Sequence, residues 1–367
     1  MKNKDKILLA ITCILIFILV ISVGFYTTSK SKFVNNFEVL ISEKNITELQ
    51  NSMVSSEKNL ALKKSDIKSF INYFENDKDK KNIFFESLNE QLTDSNESYQ
   101  NDSFFKIVSK KRQFLIFPKY QVEVQPRYIT ISTDADKIVL RDAEKKLINY
   151  DTRSKKYGPI FPGKHVFKME LVSDIPMIEI TKKDVIVWDK DKNLDAYLTK
   201  ELPKEKSFTE DVAKTLDLFS TDYASFIGGG FVDADSPVLK EMASELIGVR
   251  SIFKTIDYQY NGIKVNNDSI KLFTKGSKWH MAVELFLDTE TSFESVALEG
   301  FKMEIEKSSV YKYELIYDKK INKWEVVNRN EGFGKSDEWK NVTDIHHKQP
   351  KIYNWNSDET IDKTNLL

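Results

Sequence analysis

A single cysteine, Cys13, in 367 residues leaves no thiol pair for a disulfide framework or a CxxC zinc site. Histidine is almost as scarce, and the adjacent His346 and His347 have no third ligand near them in sequence, so no metal and no cofactor is expected. An excess of one charge is also missing. Lys plus Arg number 55 against 56 Asp plus Glu, a formal net charge of -1, which excludes a chain driven as a whole onto nucleic acid. What remains, 41% apolar and 30% charged residues, suits packed cores under a solvated surface. At roughly 150 residues per domain the length allows two or three such cores.

The strongest positive feature is ILLAITCILIFILVISVGFY, Ile7 to Tyr26, twenty residues without a charge. A helix of that length crosses a hydrocarbon core of about 30 Å. Lys2, Lys4 and Lys6 precede it and Lys30 and Lys32 follow, a bias that puts the N-terminus in the cytoplasm and the rest outside. A cleaved signal peptide is the competing reading, since Ser22 and Gly24 imitate a processing site, while Phe25 and Tyr26 carry the apolar stretch past it. Cys13 lies in mid-run and cannot be the lipid-modified residue of a lipoprotein.

Beyond the run the hydrophobic period changes twice. Residues 33–110 carry apolar residues three and four apart, such as Phe33, Phe37, Leu40 and Ile41, then Ile67, Phe70, Ile71 and Phe74, and predict a helical domain. Ser65 is placed to cap one helix, and the charged run NDKDKKN at 76–82 to break it as a solvated loop. The basic triplet Lys110, Lys111, Arg112 is read as surface. From Phe114 alternation predicts one or more β domains over 114–202, with strands near 121–125, 128–132, 138–140 and 147–150. Gly158-Pro159 and Pro162-Gly163 predict two tight turns before a strand from His165 to Leu171. A linker is expected at Pro203-Lys204. Over 205–330 a helix from Phe208 to the Gly228-Gly230 run, a shorter helix from Val238 to Ile247, and then alternating strands give an α+β layout. The tail, 331–367, is polar and aperiodic and is expected to be mobile. The fold class is therefore multidomain α and β: an N-terminal transmembrane helix after a six-residue cytoplasmic end, a helical domain, small β domains and a C-terminal α+β domain.

Three segments in this order, SDIKSFINYFENDKDKKNIFFESLNEQL (Ser65 to Leu92), YGPIFPG (Tyr157 to Gly163) with the strand after it, and the helix-then-sheet region from Phe208 to Arg329, resemble the TcaA family. These are teicoplanin-resistance-associated membrane proteins of Gram-positive bacteria and their YvbJ-like relatives. Many members begin with a zinc ribbon, for which the cysteine pairs are lacking here. The resemblance implies a C-terminal domain of NTF2-like fold and a single-pass cell-envelope protein connected with cell-wall stress and glycopeptide susceptibility. It implies a wall polymer or another envelope protein as partner, and carries over no catalytic residues.

An NTF2-like sheet folded against helices is the default place for a ligand. Tyr258, Tyr260, Trp279 and Trp324, with Tyr311 and Tyr313 beside them, are the candidate ligand-binding rings, and alternation explains the same rings as core. For an enzyme the candidate base is His280, with Asp257 or Glu284 as carboxylate partner. Strand parity sets His280 opposite Trp279, on the solvent side, which counts against it. The Gly228-Gly229-Gly230 run lacks the Lys-Ser/Thr of a phosphate loop, and the Asn-x-Ser/Thr triplets at Asn45 and Asn96 matter only in a glycosylating pathway. Binding without catalysis is the main reading. An enzyme with a reactive pocket in the C-terminal domain and a structural spacer are its rivals.

Overall fold

The computed structural model describes residues 3–58, 60–75, 77–93, 104–113, 117–229, 238–242, 250–298, 300–306, 308–332 and 334–357. The chain divides into two compact units. One comprises Met1–Ser132, Ile138–Glu170 and Glu179–Asp195, the other Thr133–Lys137, Leu171–Ile178 and Ala196–Leu367.

The first unit begins with α1 (Asn3–Thr27), whose apolar side chains from Ile11 onward stand exposed, Leu19 by 64%. Among the described residues no single helix is long and apolar enough to cross a membrane. Ile11–Thr27 and Lys30–Ser42, bent by 49°, pass that test only together. α2 (Lys30–Ser42) starts where Ser29 Oγ accepts from the Lys32 amide, and its Val34, Phe37, Leu40 and Ile41 are buried at helical spacing. α3 (Ile46–Ser52) is capped by Asn45, whose Oδ1 accepts from the Glu48 amide at 3.2 Å. β1 (Met53–Ser55), α4 (Lys64–Tyr73) and α5 (Lys78–Thr93) follow.

Two helix boundaries differ from expectation because carboxylates outcompete the residues first chosen. Asp66, not Ser65, closes the start of α4, accepting from the Lys63 amide at 2.8 Å. Asp77 accepts from the Lys80 amide at 3.1 Å, so most of the charged run 76–82 is the first turn of α5 rather than a loop. Nor is 33–110 all helix: β2 (Phe105–Gln113) and β3 (Phe117–Val124) form a hairpin, and β1 pairs parallel to β3. Phe114, where the β region was expected to open, lies outside the described residues. The hairpin shares one core with the helices, in which Phe37, Phe70, Phe84 and Leu88 meet Phe105 and Val122. Gln91 fastens the two layers, donating to the Phe105 carbonyl at 2.9 Å and accepting from the Ile107 amide at 3.0 Å.

β4 (Arg127–Ser132), β5 (Lys137–Arg141), β6 (Tyr150–Asp151), β7 (Lys156–Ile160), β8 (Gly163–Val172), β9 (Ile178–Val187) and β10 (Lys192–Asp195) form two small sheets, ordered β10-β4-β7-β6 and β5-β8-β9. The strand expected at 147–150 shrinks to a bridge between Leu147 and Arg141 and the two residues of β6. Gly158-Pro159 is a cis peptide inside β7, not a tight turn. Phe161 enters the helical core against Phe70, and Trp188 lies stacked on Tyr73 with ring centroids 3.7 Å apart.

In the second unit α6 (Leu198–Glu201) runs into a 3-10 turn, Leu202–Lys204, whose Leu202 is buried, so the expected linker is packed structure. α7 (Lys206–Ile227) buries Phe208, Val212, Leu216 and Phe219. Of the expected helix 238–247, residues 238–242 are helical and 243–247 lie outside the described residues. β11 (Phe253–Lys275), β12 (Lys278–Ser295), β13 (Lys302–Glu306), β14 (Ser309–Asp318), β15 (Lys323–Glu331) and β16 (Val342–Asn356) form one antiparallel sheet ordered β15-β14-β12-β11-β16, with β13 also on β12.

β16 overturns the reading of 331–367 as a polar, mobile tail: it pairs along β11 from Thr255–Asn356 to Asn266–Val342. As an edge strand it buries only Trp355 fully, so its sequence shows no hydrophobic alternation. Opposite it, Gly262 has φ +148, and a Cβ there would stand 2.1 Å from the Ile345 carbonyl oxygen.

Candidate functional site

α7 lies across one face of the sheet, with Phe219 edge-on to Tyr313 and Tyr223 edge-on to Tyr258. Apolar side chains close most of that layer. Toward the end of β12 the inward residues change from Trp279, Met281, Val283 and Leu285 to Leu287, Thr289, Thr291 and Phe293. The smaller, polar threonines leave a cavity of about 250 Å³, bounded by Tyr223 of α7, Ile256 and Tyr258 of β11, Phe293 of β12, Tyr311 of β14 and Arg329 of β15.

Arg329 is the one charged residue in that wall. Its guanidinium carbon lies 4.3 Å from the centre of the Tyr311 ring and 5.2 Å from that of Tyr223, so two aromatic faces hold the cation. Tyr313 is its partner across the ladder. No carboxylate lies within ion-pair distance of Arg329 among the described residues. Burial works against its charge, but electrostatic interaction with the Tyr313, Tyr223 and Tyr311 phenols outweighs burial and raises its pKa. Burial pushes the Tyr313 phenol up to about 12 and raises Tyr258 as well, so both rings are neutral at physiological pH.

A bulge aims this arginine. Leu315 pairs with Val326 but Glu314 with Asn328, which leaves Val327 unpaired. Regular alternation from Trp324 and Val326 would have turned Asn328 inward and Arg329 outward. The extra residue reverses the parity. Arg329 was therefore missed in the sequence, where no local pattern marks the bulge.

Of the rings proposed from sequence, Tyr258 reaches the cavity, joined there by Tyr311. The others are not brought together with it. Tyr260 is buried and its hydroxyl donates to Asp217 Oδ1 at 2.6 Å. Trp279 Nε1 donates to Ser173 Oγ at 3.3 Å. Trp324 lines a separate hollow of about 510 Å³ with Phe208 and Leu218, and its indole N–H has no hydrogen-bond partner among the described residues.

His280 is not on a solvent face. It does point away from Trp279, yet it is buried, stacked on Phe273 at 5.4 Å, with Nδ1 2.9 Å from Glu314. Its carboxylate partner is thus neither Asp257, which accepts from Asn354, Lys302 and Ser292, nor Glu284, which accepts from Asn266. His347 is a strand residue rather than a tail residue, its Nε2 3.0 Å from Asp217 Oδ1. Gly228 and Gly229 end α7, whereas Gly230 and Asn96 lie outside the described residues. Lys110, Lys111 and Arg112 belong to β2.

Residues 30–124 match the TcaA protein second domain, and residues 212–330 match the YvbJ NTF2-like domain. The uncharacterized membrane protein YvbJ of Bacillus subtilis (strain 168) is 25% identical over 180 residues, 48% of this chain and 28% of that protein. The chain thus spans under a third of that relative's length. The intermembrane space region of the chloroplast protein ARC6 aligns with a TM-score of 0.25 at 14% identity, over 32% of this chain and 95% of that one. The helix-and-hairpin core coincides with the first match, and α7 with the sheet through most of β15 coincides with the second. In chain order, then, one stretch is similar to a TcaA second domain and a later one to a YvbJ NTF2-like domain.

Proposed function

We propose that this chain is a single-pass protein of the bacterial cell envelope, held by α1 with its N-terminus in the cytoplasm, whose domains act outside the membrane by binding. The observation that carries the reading is the order of its parts: an apolar helix, a TcaA second domain, then a YvbJ NTF2-like domain. The match to a membrane protein of Bacillus subtilis supports it, as do the exposed apolar side chains of α1 from Ile11. The uncharged run Ile7 to Tyr26 lies within that helix, whose described part Ile11–Thr27 has the length and apolarity of a span when taken together with Lys30–Ser42. The partner is wall polymer or another envelope protein, and the role is in cell-wall stress and glycopeptide susceptibility.

Two measurements on cells test this. Protease added to intact cells should release fragments from residues 33–357, and full protection would refute the orientation. Deleting the gene should change teicoplanin susceptibility or wall composition; if neither changes, the envelope role fails.

A further inference from the structure

We propose that the cavity under α7 is a binding site for a small carboxylate carrying an apolar body, with Arg329 as its anchor. This deepens the binding role and rests on it.

The charge decides the class of ligand. A guanidinium half-buried beside apolar walls has given up hydration, and the two tyrosine faces that hold it offer no counter-charge. Arginine has five N–H donors, and the contacts that hold this one are ring contacts at 4.3 and 5.2 Å rather than an ion pair, so donors remain for a planar acceptor. A carboxylate matches that fork with two parallel hydrogen bonds. A phosphate dianion would call for a second cation or a helix N-terminus, and the wall holds neither.

The remaining wall decides the body. Phe253, Ile256, Leu287 and Phe293 are apolar, while Thr289 and Thr291 add hydroxyls. About 250 Å³ is below the usual range of pockets for drug-sized ligands. One ring or a short chain fits this space. Such a carboxylate can belong to a free acid or to the terminal residue of a peptide.

The full chain in lipid nanodiscs would be titrated with 3-phenylpropionate, its neutral amide 3-phenylpropionamide, and N-acetylphenylalanine, with binding read by saturation-transfer NMR. The acid should bind at least tenfold more tightly than the amide, and Arg329→Gln should remove that preference. Thr291→Phe, which fills the cavity and keeps the arginine, should abolish binding of every probe, with circular dichroism checking that each variant is folded. N-acetylphenylalanine binding more tightly than 3-phenylpropionate identifies a peptide end as the source, and weaker binding a free acid. Equal affinity for acid and amide, no binding of the acid at millimolar concentration, or unchanged binding in folded R329Q overturns the proposal. Each of those results leaves the protease and susceptibility measurements untouched, so the two failures are distinguishable.

Discussion

At the scale of single residues, burial does more than charge pairing to set behaviour. His165 donates through Nε2 to the Phe161 carbonyl at 2.7 Å, and burial lowers its pKa from 6.5 to about 4. The unfolded chain takes up a proton near pH 6.5 and the native chain only near pH 4, so protonation favours unfolding. The contribution is intact above pH 6.5 and is lost as pH falls toward 4, by about 3 kcal/mol at most. Melting curves at pH 7.5 and pH 5 should show a larger drop for the native chain than for His165→Gln, which keeps the donor and cannot titrate. A slope equal in both would remove this histidine from the account. The rings were legible as core because alternation registers burial directly, as Tyr258, Tyr260, Trp279 and Trp324 show. Arg329 was not legible, because a charged residue in a half-exposed strand carries no sign of which way a bulge turns it.

At the scale of elements, those with one strongly apolar face were readable and those at edges were not. α7 stands close to where its stripe of Phe208, Val212, Leu216 and Phe219 put it. The β2–β3 hairpin was split by a domain boundary, with 105–110 read as helical and 121–125 as a strand of the next domain, because its inward residues serve a helical core, a fact of tertiary contact and not of period. β16 was missed because only one of its residues is fully buried. Its pairing with β11 makes a specific demand on Gly262. Alanine there must hold φ +148 and also displace the Ile345 carbonyl, a cost of about 3 kcal/mol. Gly276, with φ +63 and nothing within 4 Å of a Cβ, is the matched control and should lose about 1 kcal/mol as alanine. Urea titration should rank G262A well below G276A, with faster hydrogen exchange along 342–346. Equal midpoints would mean that β16 yields without cost.

At the scale of the molecule, the sequence made the succession of parts clear: an uncharged run, helices, small sheets, then helix and sheet. Their boundaries were less clear, because segments distant in sequence share one core, as Phe161 and Trp188 do with α4. With a net charge of -1, long-range attraction to a charged surface is weak, and α1 supplies the affinity for the bilayer in the proposed topology. Removing residues 1–28 should move the chain from the membrane pellet to the supernatant with its sheet spectrum by circular dichroism unchanged. Retention in the pellet would point to a second attachment. The unpaired Val327 decides which side chain the hollow receives. Absorbing that one residue into regular pairing would swing a guanidinium out to water and bring a carboxamide in, inverting ligand preference while every codon stayed the same. The electrostatic character of this hollow is thus written in strand frame as much as in residue identity.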